Sequence, residues 1–364
     1  MEKMKKRLSF KDFFEQYGYI LAIAFVVIAV LFLLAPVVNY EIREVFNDGT
    51  KTVKEDFTYS MHLFDYFTTK FKINFTMYIT LGLFFLGIVF IILGKFVSKD
   101  LFTVSTLFLL VAGCFLVLSR EFFASSENNI LEFAKTVHTE IPADELERSV
   151  HSVDIGWGTA VALLFTVLAL ISSLSFNLQK EEFTVRDIAE EAILIAMAFG
   201  LNFIKIPVHI TGGSVNFQMF PLMLIALRRG PTHGFVAAGI VYGILTCLTD
   251  GYGFATYPFD YLLAFGSVAV LGVFRGFIFS PEQKNYNLKG ELFILLAGII
   301  ATAIRFVAST TSSMVIYGYD LKAAALYNSL YVTLSGLAGF GLIMAMYGPI
   351  LRINAMYPTN RDSL

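Results

Sequence analysis

Apolar runs close to 20 residues long recur along this chain, and about 20 apolar residues is the length at which a helix crosses the hydrocarbon core of a bilayer. Hydrophobic side chains make up 56% of the 364 residues and charged ones only 15%, where a soluble domain carries about a quarter charged. Together these exclude disorder, a coiled coil and an ordinary cytoplasmic enzyme. They predict an all-α polytopic membrane protein whose first partner is the lipid bilayer. A net charge of −2 offers nothing to attract phosphates, so no nucleic-acid partner is expected. Cys114 and Cys247 both sit inside apolar runs, which speaks against a disulfide framework and a cysteine metal site.

A basic stretch at 1–11 precedes an apolar run at 19–38. The run is too long for the core of a signal peptide, and no small-residue cleavage pattern follows it. It reads as the first membrane helix, with a cytoplasmic N-terminus. Further spans fall at 75–96, 101–119 and 157–176. The short loop holding Lys95 and Lys99 is then inside, and segments 39–72 and 120–156 are outside. The second is acidic, with Glu140, Asp144, Glu145 and Glu147, whereas the first carries five Lys or Arg, against the usual bias.

The charged stretch at 179–191 (QKEEFTVRDIAEE) marks a boundary. After it come spans at 192–206, 215–227, 233–248, 261–279, 292–316 and 326–351. Their cytoplasmic ends carry Arg228, Arg229, Arg275, Lys284, Lys289 and Arg352, while outer loops 209–218, 250–260 and 317–325 carry only Lys322. This half follows the positive-inside rule. The reading is about ten helices: a four-helix N-terminal region at 1–180 and a six-helix domain at 181–364, with both termini cytoplasmic.

No nucleotide or zinc chemistry is legible. The nearest approach to a P-loop, Gly87 to Lys95, has the wrong glycine spacing, is followed by Phe96, and lies in a membrane span. The histidines at 62, 138, 151, 209 and 233 are scattered, so no metal site is expected. Glu181, Glu182 and Arg186 match the EExxxR pattern of intramembrane proteases, but no membrane-embedded histidine follows in a suitable place, and a charged linker explains them. No catalytic residue, no cofactor and no enzyme activity are expected.

Few charges remain at membrane depth in the second half. Arg305 lies mid-span and Asp260 begins the fourth span of that half. Buried charges in a membrane mark a function or a partner. The plainer alternative is an Asp–Arg pair that only fixes packing. Around Asp260 stand Tyr252, Phe254, Tyr257 and Tyr261, and the outer ends of the last two spans add Tyr317, Tyr319, Tyr327 and Asn328. Part of this is an aromatic belt. A carboxylate, an amide and several tyrosines at one end also suit a small organic cation. Ala192 and Ala196, four apart, share one helix face that lets another helix approach closely. Gly239 and Gly243 form a similar pair, read as internal packing.

With these residues in view, 192–351 resembles the thiamine-specific S component, the substrate-binding subunit, of energy-coupling factor (ECF) vitamin transporters. The most specific stretch is GGSVNFQMFPLMLIALRRGPTHGFVAAGIVYG, and PFDYLLAF, IRFVAS and LYNSLY match further spans. The resemblance implies a six-helix fold with both ends cytoplasmic. It also implies thiamine bound at the outer side by Asp260 and Asn328, with Tyr261 and Tyr317 at commonly aromatic positions. Ala192 and Ala196 match the motif that docks the shared transmembrane T component, and two separate ATPases would supply energy. Ser309 stands where the family has a substrate-contacting His, and Ala323 where it commonly has a Tyr. Both departures leave the substrate open to a thiamine precursor, an analogue or another vitamin.

The functional expectation is a membrane-embedded binding subunit for uptake of thiamine or a related compound, energised by a separate ECF module in the plasma membrane of a bacterium. Two alternatives stay open: a solitary secondary vitamin transporter, and a membrane vitamin sensor or scaffold. The residues set out for the site are Asp260, Tyr261, Asn328, Tyr317, Ser309, Tyr252, Tyr257 and Tyr327, with Arg305 in a structural or ion-pair role. The N-terminal four helices carry no functional reading.

Overall fold

A computed structural model describes residues 10–47, 52–65, 75–124, 146–180, 183–209, 212–279 and 286–357. The basic run at 1–9, His138, Glu140, Asp144, Glu145, Glu181, Glu182 and Lys284 lie outside the described residues. The protein is a multi-pass helical membrane protein: seven of its described helices are long and apolar enough to cross a bilayer.

The N-terminal region holds α1 (Phe10–Phe32), α2 (Phe75–Phe96), α3 (Leu101–Ala124) and α4 (Trp157–Lys180). Between them the segments read as outer loops form a sheet of β1 (Val38–Asn47), β2 (Thr52–Met61) and β3 (Leu146–Ile155). The strands are antiparallel in the order β2-β1-β3, with a bulge between Glu41 and Ile42. Val38, Tyr40 and Ile42 are buried at a spacing of two, the period of a half-buried strand. Arg43 forks onto Asp56 across β1 and β2 at 2.8 and 3.0 Å. One of the five basic residues that broke the charge rule is thus neutralised locally.

The second half holds α5 (Val185–Phe203), β4 (Lys205–His209), β5 (Gly212–Asn216), α6 (Met219–Arg229), α7 (Pro231–Asp250) and α8 (Phe254–Val273). A single turn at Arg275–Ile278 leads to α9 (Leu288–Val315), α10 (Leu321–Ala345) and α11 (Tyr347–Met356). Helix α5 starts well before the predicted span, because Thr184 and Asp187 form a reciprocal capping box at its N-terminus. The predicted second span is not one helix. Helix α6 has 11 residues, a rise of about 16 Å, roughly half the hydrocarbon thickness. The residues before it form β5, which pairs antiparallel with β4.

Helix α8 also starts earlier than predicted. Pro258 looks like a boundary, yet proline is tolerated in a first turn, so Asp260 lies inside the helix. Helices α7 and α8 each contain a π-helical stretch, Phe235–Tyr242 and Tyr257–Leu263. They approach closely at Gly239, where an added Cβ would fall 2.7 Å from Leu262 O. The expectation that Gly239 serves packing is met in that contact.

Two cores meet on α3. Leu109, Ala112 and Leu116 join the N-terminal cluster around Val26, Tyr40 and Phe84. Leu107, Val111 and Cys114 join the second core with Met219, Tyr242 and Ala308. The two sets lie on different faces of a 3.6-residue repeat.

Candidate ligand site

The site lies at the end of the bundle where α7 finishes, α8 begins, and α9 and α10 turn over; we call this the upper end. The π-helical stretch at Tyr257–Leu263 carries Asp260, and such stretches often re-aim side chains at functional sites. The Ser312 hydroxyl donates to the Asp260 carboxylate, and Ser309 is also within hydrogen-bonding reach of it. Ser309 reaches Tyr331 as well. These groups join because Ser309 and Ser312 are three apart on α9, and Asn328 and Tyr331 three apart on α10, so each pair shares a helix face.

Asn328 is fully buried. Its Nδ2 donates to Ser313 Oγ at 2.8 Å and to Ala324 O at 2.8 Å, with a longer contact to Ser309 O at 3.4 Å. Its Oδ1 has no hydrogen-bond partner among the described residues. A buried carbonyl oxygen left open costs free energy unless a donor arrives, and a ligand amine or N–H would meet it.

Arg305 is buried, at 6% exposure, with its guanidinium 5.4 Å from the centroid of the Phe265 ring. It lies within electrostatic reach of Tyr331, Tyr242 and Asp260. Its Nε and Nη1 nevertheless have no hydrogen-bond partner among the described residues. Asp260 is engaged by serines instead of by a direct bond to the arginine.

The tyrosines fall into separate groups. Tyr317, Tyr252, Tyr319 and Tyr327 interact electrostatically around the upper rim. Tyr319, Tyr327 and Tyr331 form an edge-to-face chain with centroids 6.1 and 5.6 Å apart. Burial, followed by the Asp260 charge, pushes the Tyr317 phenol up to about 12, so it remains a donor at neutral pH. Tyr261 turns its hydroxyl to Asp250 at 3.4 Å. Tyr257 donates to Gly239 O at 3.2 Å and stacks on Phe254, so the structure brings it to α7 rather than to Asp260. Ala323 is exposed in the first turn of α10, whereas Ser309 is buried. The two departures from the family pattern therefore sit at different depths.

Sequence reasoning missed Ser312, Ser313, Tyr331 and Asp250. Tyr331 is four residues after Tyr327 and Ser312 three after Ser309, so helical spacing from the chosen residues would have found both.

The opposite, lower end holds a charge cluster. Arg229 pairs with Asp187 and Glu190, and Arg228 with Glu190 at 2.7 Å. His233 Nδ1 bonds Glu191. Beside this cluster a groove of about 580 Å³ runs between α5 and α7, lined by Ala192, Ala196, Val236, Ala237, Val241 and Leu245 among others. Ala192 and Ala196 are exposed in its wall.

Residues 188–356 match the family model described as Thiamine transporter protein (Thia_YuaJ). The chain is 29% identical over 134 residues to Thiamine transporter ThiT of Bacillus subtilis (strain 168), which covers 35% of this chain and 65% of that protein. The match thus spans just under two thirds of that relative's length. It is 23% identical over 166 residues to Thiamine transporter ThiT of Lacticaseibacillus paracasei, covering 44% of this chain and 82% of the relative. It is 28% identical over 152 residues to an uncharacterized protein of Pyrococcus woesei, covering 41% and 94%. A solved structure of ThiT from Listeria monocytogenes is 23% identical, with a TM-score of 0.39, covering 47% of this chain and 96% of that one. The resemblance of the C-terminal half to thiamine-specific S components is borne out by the family match and the two named transporters, and the family match begins at residue 188. The relatives that carry a functional name are transporters.

Proposed function

We propose that this chain is the membrane-embedded binding subunit for uptake of thiamine or a closely related compound, energised by a separate ECF module of a T component and two ATPases. The observation that carries the reading is a coincidence of place. The family match at 188–356 encloses the helices on which Asp260, Ser309, Ser312 and Asn328 converge. In this reading residues 181–364 are the binding domain, 1–180 are a separate membrane region, and the upper end faces outward in the plasma membrane of a bacterium. Both termini are then cytoplasmic, and Arg228 and Arg229 mark the inner side.

Thiamine joins a cationic ring to an amine-bearing ring. Asp260 offers the carboxylate for the cation, and the rim tyrosines offer ring faces and hydroxyls. Asn328 Oδ1 offers an acceptor to an amine. Ala192 and Ala196 keep one wall of the α5–α7 groove low, which suits close approach of a T-component helix.

The test is reconstitution. The full chain, co-expressed with a T component and ATPase pair, is purified and placed in vesicles. Co-purification of the module with ATP-dependent thiamine uptake is expected. Thiamine uptake by the chain alone, driven by an ion gradient, would instead establish a solitary secondary transporter.

A further inference from the structure

The upper third of α9 reads ASTTSSM and is polar on every side. Serine and threonine are tolerated on lipid-facing helices because their hydroxyls bond back to the helix's own carbonyls, so this segment alone does not demand a protein cover. Yet Thr311 and Ser312 are both fully buried, and Met314 is 2% exposed. The cover over part of this surface comes from the N-terminal region. Leu118 of α3 packs in one cluster with Met314 of α9 and Ala324 of α10. Four residues earlier, the buried Cys114 thiol lies beside Thr311, whose own hydroxyl donates to Val307 O at 2.8 Å. Leu107, Val111, Cys114 and Leu118 fall at intervals of three and four, so one stripe of α3 faces the second half along its length.

The lower end of the same helix is anchored by a buried polar junction. Asn177 Nδ2 of α4 donates to Thr103 Oγ1 of α3 at 2.8 Å and to Thr232 Oγ1 of α7 at 2.9 Å; the two hydroxyls are 3.1 Å apart. The junction ties the lower end of α3 to α4 and α7, while Leu118 packs on α9 and α10 at the upper end.

The residues that α3 touches flank those of the candidate site. Thr311 is followed by Ser312, the partner of Asp260, and by Ser313, the partner of Asn328. Ala324 is one turn before Asn328 and accepts its amide through the backbone. A shift of α9 or α10 at this contact moves both ligand-facing groups together. Holding a site in its bound geometry lowers the ordering cost of binding.

We propose that α3 of the N-terminal region is a positioning element of the ligand site, with Cys114 and Leu118 holding the upper ends of α9 and α10 in binding geometry. The inference rests on the thiamine-binding reading for its ligand. It gives the N-terminal region a role as a permanent intramolecular partner of the binding domain.

The test uses the full chain in lipid nanodiscs, titrated with thiamine. Cys114→Ala combined with Leu118→Ala is expected to weaken binding about tenfold. Cys114→Ser, which keeps a hydroxyl toward Thr311, should stay within about twofold. Val26→Ala, in the other N-terminal core, should lower thermal stability and leave affinity unchanged. A second readout needs no ligand: amide hydrogen exchange at 309–315 should quicken in the double variant and not in Val26→Ala. Unchanged affinity and exchange in the double variant, or equal changes in Val26→Ala, would overturn the proposal. If the unaltered chain binds no thiamine, the functional reading falls and the exchange measurement alone decides the positioning role.

Discussion

Asn328 Nδ2 lies 2.8 Å from Ser313 Oγ, across the α9–α10 interface and at zero exposure. The bond fixes the amide so that Oδ1, which has no partner among the described residues, is held open. Asn328→Ala should weaken thiamine binding by about 1–3 kcal/mol, the range for removing a buried hydrogen-bonding partner. Ser313→Ala should cost less, because the amide keeps Ala324 O. Calorimetric titration of both variants checks the order, and a larger loss for Ser313→Ala would contradict it.

The alanine pair makes a separable prediction. Ala192→Leu or Ala196→Leu adds bulk to the wall of the α5–α7 groove, away from Asp260. Thiamine binding by the isolated chain should be unchanged, while uptake in the assembled transporter should fall. Normal uptake with both alanines replaced would remove the groove as the docking face.

Ala323 is exposed at the rim and close in sequence to Tyr327, so Ala323→Tyr adds an aromatic face without disturbing the core. Thiamine should bind more tightly, by about 0.5–1 kcal/mol for an exposed cation–π contact, and bulky analogues should lose affinity. Ser309→His is a different case. Ser309 is buried between Asp260 and Tyr331, so the larger ring should lower thermal stability, typically by about 1–3 kcal/mol for overpacking. Equal stability in the two variants would show that Ser309 has room beside it.

The lower-end cluster sets an acid limit. Burial raises the Asp187 carboxyl, but the Thr184 hydroxyl and amide, Arg229 and His233 outweigh it and hold it below the usual range. A depressed carboxylate contributes stability above its unfolded value, near 4, and loses it as pH falls through the folded value. Thermal stability should therefore drop as pH falls below about 4, and Asp187→Asn should be less stable at pH 7 with a flatter acid limb. An unchanged acid limb in that variant would place the sensitivity elsewhere.

What the sequence displayed and what it hid have physical causes. Spans such as α2, α3 and α4 are continuous apolar helices, and length and hydropathy alone locate them. The second span of the C-terminal half is strand and short helix joined, which no hydropathy window separates. The three-stranded sheet is legible in principle through the alternation at Val38, Tyr40 and Ile42, but segments between apolar spans read first as loops. Asp260 and Asn328 stood out as a charge and an amide in apolar surroundings. Ser312 and Ser313 did not, because serine is common in membrane helices and only the π-helical turn of α8 shows which serine faces Asp260. The contact of α3 with α9 was invisible, since nothing in either helix names the other.

One titration tests a thiamine site built on Asp260 most directly. The full chain in nanodiscs is titrated with thiamine, beside Asp260→Asn, which keeps the size of the side chain and removes its charge. We expect saturable single-site binding, weakened in the variant by about 1.5–3 kcal/mol, the range for a hydrogen bond to a charged group, with folding intact. No binding of thiamine by the unaltered chain, or equal affinity in the two proteins, would contradict a thiamine site built on Asp260.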